Sequence, residues 1–114
     1  MKPVIRQAQS ADLAEIAAIA ADQPMSAGWT SAQFREEIGS SRSWLGVCEM
    51  DGISGYAVVL KIPPEAQLVD IAVRRQDARR GLGRKLLEYI IESFRSWGFK
   101  TLTLEVSAQN APAL

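Results

Sequence analysis

The sequence predicts one α/β domain spanning residues 1–114, built on a mixed β-sheet, and three observations support this. Short apolar runs of strand length recur along the chain, and two of them flank Asp51-Gly52, a strong hairpin signal. Apolar residues four apart from Leu82 to Phe94 predict an amphipathic helix between two further strands. A chain of 114 residues is long enough for one core. The predicted order is β-α-α-β-β-β-α-β.

The first half of the chain predicts a strand followed by two helices. Residues 3–8 form the candidate strand. Ser10 is a candidate N-cap for a helix whose apolar positions follow helical spacing: Leu13, Ile16, Ala17 and Ile19. Thr30 followed by Gln33 matches a capping box, which predicts a second helix ending at Gly39.

The second half predicts four strands and one long helix. Runs 44–50 and 53–62 form the hairpin, and Pro63-Pro64 ends its second strand. The next strand covers 68–73, and the long helix covers 82–97 with Gly98 as its C-terminal cap. Alternation over 102–107 predicts the last strand. The first part of the sheet is therefore expected to be antiparallel.

Composition narrows the possible functions. Lys+Arg and Asp+Glu are 13 each, so no overall field attracts nucleic acid or a membrane. Basic residues instead cluster in one stretch, which suits a small polyanion: Arg74, Arg75, Arg79, Arg80, Arg84 and Lys85. The absence of histidine excludes His-based catalysis and His metal sites, and no metal site is predicted. The single Cys48 lies in an apolar run and is expected to be buried. Without a membrane-length apolar segment, the chain is expected to be cytoplasmic.

The turn between the 68–73 strand and the long helix has the features of an anion cradle. The first N–H groups of a helix lack partners within the helix, and the helix dipole adds partial positive charge there. Gly81 and Gly83 allow phosphate oxygens to approach those groups closely. Arg79, Arg80 and Arg84 add full positive charges. The turn therefore predicts a site for a phosphate-bearing cofactor.

Four segments at these spacings resemble the GCN5-related N-acetyltransferase (GNAT) superfamily. They are Asp70-Ile71-Ala72-Val73, Arg80-Gly81-Leu82-Gly83-Arg84, Leu104-Glu105-Val106 and Asn110-Ala111-Pro112-Ala113-Leu114. Within the superfamily, the chain looks most like the ribosomal-protein-alanine N-acetyltransferases of the RimI type. The resemblance covers nearly the whole chain and implies the GNAT fold.

The resemblance also implies a cofactor and roles for residues. Acetyl-coenzyme A would be the acetyl donor, with an amine, most simply the N-terminal alanine of a ribosomal protein, as acceptor. Backbone groups of Ile71, Ala72 and Val73 would pair with the pantetheine arm. The turn would hold the pyrophosphate through Arg79, Arg80, Gly81, Leu82, Gly83 and Arg84. Asn110 would contact the cofactor, and Glu105 would be the general base for direct attack of the amine on the thioester.

The chain departs from the family pattern in two places. Ala78 stands where the family signature has Gln or Arg. The chain also ends before the family's last helix, which carries a Tyr general acid, and its last two strands, so we expect a C-terminally truncated domain. Such a sheet would leave an open edge, which a homo-oligomer or strand exchange with another chain would complete.

Several alternatives remain open. A non-catalytic CoA-binding or assembly module would bind the cofactor without using it, and an acetyltransferase for a small amine or another protein would use a different acceptor. Glu65 is a second candidate carboxylate. Asp70 is expected on the same side as Leu68 and Ala72, where it would either contact the acceptor or form a structural hydrogen bond.

Overall fold

A computed structural model describes residues 2–23 and 30–104 and confirms the predicted order and class of elements. The strands form a five-stranded sheet in the order β1-β2-β3-β4-β5. Their bounds are β1 Val4–Gln7, β2 Ser43–Glu49, β3 Ile53–Ile62, β4 Glu65–Val73 and β5 Thr101–Leu104. The helices are α1 Leu13–Ala21, α2 Ser31–Gly39 and α3 Leu82–Ser96. The first four strands are antiparallel, as predicted, and β5 is parallel to β4.

Helices cover both faces of the sheet, so two cores form. On one face α1 and α2 pack against alternate strand residues, with Ile16, Phe34 and Tyr56 fully buried there. On the other face α3 inserts its four-residue apolar repeat: Leu82, Leu86, Ile90 and Phe94. Among residues 2–23 and 30–104, no helix has the length and apolar character needed to cross a membrane.

The turn residues predict the first hairpin correctly, but they do not predict where the strand after the second turn begins. The first hairpin is confirmed, and Glu49 pairs with Ile53 across a three-residue loop. Asp51 and Gly52 in this loop have φ of 57° and 92°, the left-handed backbone of a tight turn. Pro63-Pro64 ends β3, but it also forms the next turn directly, since Ile62 pairs with Glu65. β4 therefore begins three residues earlier than the predicted residue 68.

Two of the three helix-end predictions are confirmed. Thr30 and Gln33 exchange the two hydrogen bonds of a capping box. Gly98 has φ of 93° just after α3, and the N–H of Phe99 donates to the carbonyl of Phe94. The prediction for Ser10 is wrong, because Ser10 starts a 3₁₀ turn (Ser10–Asp12) that precedes α1.

Candidate active site

A β-bulge in β4 follows directly after the stretch of β4 that pairs with the described part of β5. Asp70 pairs with Val58 while Leu68 pairs with Val59, so Val69 is an extra residue without a cross-strand partner in β3. Among the described residues, which end at Leu104, β5 pairs with β4 from Glu65 to Leu68. Within the part of the chain that the structure describes, the far half of β4 therefore has no strand on its β5 side.

The hydrogen-bond alternation of β4 determines which backbone groups face this open edge. The N–H of Arg74 donates to the carbonyl of Ser54, which makes this pair a hydrogen-bonded one. In an antiparallel ladder such pairs alternate with non-hydrogen-bonded pairs. Ala72 therefore directs its backbone groups toward β3, whereas Ile71 and Val73 direct theirs toward the open edge. This edge can accept an added strand at Ile71 and Val73.

The open edge leads into the N-terminus of α3. Gly81 has φ of 76°, and a Cβ at this position would meet no atom within 4 Å, so the approach to the helix is open. The N–H of Lys85 donates to the carbonyl of Gly81 as the first bond of the helix. The N–H groups of Leu82, Gly83 and Arg84 accordingly have no acceptor inside the helix. Since the Leu82 side chain is buried in the core, only its backbone can reach a phosphate.

Buried Asp77 organises the loop between β4 and α3. It is only 4% exposed, and its carboxylate accepts a hydrogen bond from Arg74 Nε at 2.7 Å. Arg80 lies at 3.6 Å from the other carboxylate oxygen. Sequence reasoning missed this role, although the spacing of three from Arg74 to Asp77 and from Asp77 to Arg80 is a usable signal.

Some basic residues of the turn are paired with carboxylates, and others have a positive charge that is free to bind an anion. Arg80 is paired with Asp77, and Arg84 pairs with Glu88 at 3.7 Å on the helix surface. Arg79 is exposed and forms no ion pair with the described residues, and its φ of 66° is unfavourable for a side chain with a Cβ. An open groove of about 610 Å³ beside the loop is lined by Arg80 and Lys85. The turn thus keeps net positive charge where a phosphate would bind.

Asp70 lies beside the bulge in a buried pair with Tyr56. The Tyr56 hydroxyl donates to Asp70 Oδ2 at 2.6 Å, so the structural hydrogen bond is the alternative that the structure supports. The prediction that Asp70 shares a side with Leu68 is wrong. The extra residue Val69 breaks the alternation of side chains along β4. Leu68 therefore packs on the face covered by α3, whereas Ala72 packs on the face covered by α1 and α2. Tyr56, the hydrogen-bond partner of Asp70, lies on that second face. Burial raises the pKa of Asp70, and the hydrogen bonds from the Tyr56 hydroxyl and the Ile71 N–H offset part of this rise.

We expect Tyr56→Phe to destabilise the protein by about 2 kcal/mol when Asp70 is ionised, because a hydrogen bond to a charged buried group is lost. Since burial raises the pKa of Asp70 in the folded state, the contribution of Asp70 to stability is present below its unfolded pKa of about 3.9. It is lost as the pH rises through the folded value. The cost of Tyr56→Phe should therefore shrink as the pH falls through the folded pKa of Asp70, as measured by urea unfolding over a series of pH values.

Asp70→Asn provides the control for that measurement. The amide keeps an acceptor for the Tyr56 hydroxyl but carries no charge. In the Asp70→Asn background, Tyr56→Phe should cost less and should show no such pH dependence. A cost that stays constant over the whole pH series in the wild-type background would contradict an acceptor whose charge changes within that series.

Two of the remaining predicted residues, Cys48 and Glu65, lie in strands away from the open edge, and two lie outside the described residues. Cys48 is fully buried and its pKa is raised by burial, as expected for a packing residue. Glu65 accepts a hydrogen bond from the Thr103 hydroxyl in the paired part of β4, away from the opening. Glu105 and Asn110 lie outside the described residues. Leu104, which directly precedes Glu105 in the sequence, is paired with Leu68, directly before the bulge at Val69.

Comparison with known proteins identifies the class. Residues 10–114 match the model of the acetyltransferase (GNAT) family, and the chain belongs to this family. A crystal structure of the ribosomal-protein-S18-alanine N-acetyltransferase from Escherichia coli superposes with a TM-score of 0.79 at 31% identity, covering 97% of this chain and 71% of that one. The Ard1 structure from Thermoplasma volcanium, at 23% identity and a TM-score of 0.81, shows the shared fold.

Two relatives differ in their acceptors and in coverage. The [ribosomal protein bS18]-alanine N-acetyltransferase of Salmonella typhimurium is 37% identical over 86 residues, which is 75% of this chain. The chain spans 58% of the length of that relative. The 5-NmdU N-acetyltransferase of Pseudomonas phage PaMx11 is 32% identical over 114 residues, covering 96% of this chain and 79% of the relative.

Proposed function

We propose that this chain binds acetyl-CoA and transfers the acetyl group to a primary amine, with the N-terminal alanine of a ribosomal protein as acceptor. The observation that carries the proposal is the open edge of β4, where Ile71 and Val73 present backbone groups that lead to the N-terminus of α3. A pantetheine arm along this edge would bring the pyrophosphate to the N–H groups at Gly81–Arg84. The ribosomal acceptor is supported by the bS18 relatives.

The reaction needs three groups, and the proposal assigns one of them to a side chain. Glu105 would remove a proton from the ammonium form of the acceptor, directly or through water. The amine nitrogen would then attack the thioester carbonyl, and the C–N bond would form as the C–S bond breaks. The nitrogen would release its second proton to water, which leaves a neutral amide. Backbone N–H groups at the bulge would polarise the carbonyl oxygen. The leaving thiolate would take a proton from an acid that the described residues do not supply.

A second acceptor class is favoured by one observation. The phage 5-NmdU N-acetyltransferase aligns over 96% of this chain and 79% of its own length, which exceeds the coverage of the bS18 relative. An acceptor amine such as that of 5-NmdU would fit that relative. The donor half of the site would be the same in both cases.

Calorimetric titration with CoA followed by acetylation assays tests the proposal. We expect CoA to bind and acetyl-CoA to acetylate a peptide starting with alanine faster than 5-NmdU or a simple alkyl amine. Preference for 5-NmdU would favour the second acceptor class. Binding of CoA without turnover of any amine would favour a non-catalytic CoA-binding module, and no binding of CoA would refute the proposed function.

A further inference from the structure

We propose that Gln23 competes with the pantetheine arm of the cofactor for the carbonyl oxygen of Val73. This inference rests on the proposed function and adds a residue of the chain that limits cofactor affinity. Gln23 lies just beyond the C-terminal end of α1, on the helical layer that covers one face of the sheet. No sequence pattern marks it, because its partner lies 50 positions further along the chain.

The contact occupies one of the backbone groups that face the open edge. Gln23 Nε2 donates a hydrogen bond to the carbonyl oxygen of Val73 at 3.2 Å. The alternation established by the Arg74–Ser54 pair directs this carbonyl away from β3. The side chain of Gln23 is therefore bound to the strand at the place where an added strand would pair.

The chemistry of the two donors is alike. The pantetheine arm contains two amides, and each carries an N–H that can donate to a strand carbonyl as a peptide N–H does. Such a donor would lie about 2.9 Å from the oxygen, within a chain running about 4.8 Å from β4. The Gln23 carboxamide lies at a comparable distance from the same oxygen. It therefore occupies space that the arm needs, and it imitates the arm's own amide.

The size of the effect follows from the strength of such a bond. An intramolecular hydrogen bond contributes about 1 kcal/mol net, and that contribution has to be given up before the cofactor amide pairs. Removing the competitor should tighten CoA binding by about 3- to 10-fold. Variants at an ordinary positioning residue would weaken binding instead, so the sign of the change is diagnostic.

The experiment compares two ligands on three variants of the full chain. Gln23→Met keeps the length of the side chain without a donor, and Gln23→Ala removes the side chain, so one variant remains if the other folds poorly. Gln7→Ala, an exposed glutamine in β1 at the opposite edge of the sheet, is the matched control. Each protein is titrated with CoA and with adenosine 3′,5′-bisphosphate, which carries phosphates but no pantetheine amide.

We expect CoA to bind more tightly to both Gln23 variants, with bisphosphate binding and the Gln7→Ala control unchanged. Unchanged CoA binding in the Gln23 variants would mean that the carbonyl accepts both donors at once, and weaker binding would mean that Gln23 supports the arm. Either result would overturn the inference and leave the proposed function intact. An equal gain for the bisphosphate would also overturn it, since the effect would then act through the phosphate turn. Failure of every variant and the wild type to bind CoA would refute both.

Discussion

Gly81→Asp will weaken CoA binding by about 100-fold, whereas Gly81→Asn will weaken it by about 10-fold or less. A carboxylate at this position lies beside the N–H groups that would hold the pyrophosphate. Repulsion between unit charges about 4 Å apart lies between about 1 and 4 kcal/mol for water and a protein surface, and about 3 kcal/mol corresponds to 100-fold. Calorimetric titration with CoA at low and high salt measures the effect, which should decrease with salt.

The aspartate and asparagine variants form a matched pair because they differ in charge and hardly in shape. Gly81 has φ of 76°, and Asn and Asp are the residues other than glycine that adopt this backbone most readily. A negative charge at a helix N-terminus is favourable, so Gly81→Asp should be at least as stable to urea as Gly81→Asn. Stability and binding would then change in opposite directions. Unchanged CoA affinity in both variants would place the phosphates away from Gly81, and an equal loss in both would exclude the charge effect.

Glu105→Gln will reduce kcat by about 100- to 10,000-fold, the range expected when a general base is removed, with CoA affinity unchanged. The reason is that an acceptor α-amine with a pKa near 8 is largely protonated at pH 7. Without a base, only its neutral fraction can attack. The residual rate of the variant should therefore rise by about 10-fold between pH 7 and pH 9, as that fraction grows. Initial rates of peptide acetylation across this pH range measure the effect.

Glu92→Gln provides the comparison for that experiment. Glu92 is an exposed carboxylate on α3 paired with Arg95 at 3.5 Å, so its removal changes the net charge by the same amount. Turnover of Glu92→Gln should equal that of the wild type at each pH. If Glu105→Gln behaved in the same way, Glu105 would have no catalytic role and another group would have to deprotonate the amine.

Local chemistry accounts for the parts of the fold that were predicted. Asp51-Gly52, the capping box at Thr30 and the glycine after α3 act through contacts within a few residues, so the sequence alone reveals them. The four-residue repeat of α3 likewise predicts which of its faces is buried. Ser10 and the start of β4 were assigned wrongly. Ser10 lies within a 3₁₀ turn, which Asp12 stabilises by accepting a hydrogen bond from the N–H of Gln9 and by pairing with Arg6. Pro63-Pro64 alone connects β3 to β4, so β4 begins directly after it.

The candidate site likewise has some features that local sequence predicts and others that depend on contacts between distant segments. From the sequence one can predict the mixed sheet, the glycine turn at the start of α3 and the family resemblance, which implies roles for Ile71 to Val73 and Glu105. The three-dimensional contacts add that Val69 is a bulge, that Ile71 and Val73 rather than Ala72 face the open edge, and that Gln23 binds the Val73 carbonyl. These features depend on strand register and on contacts between distant segments. The direction of a backbone group in a strand depends on which residue it pairs with across the sheet, and the local sequence does not reveal that residue.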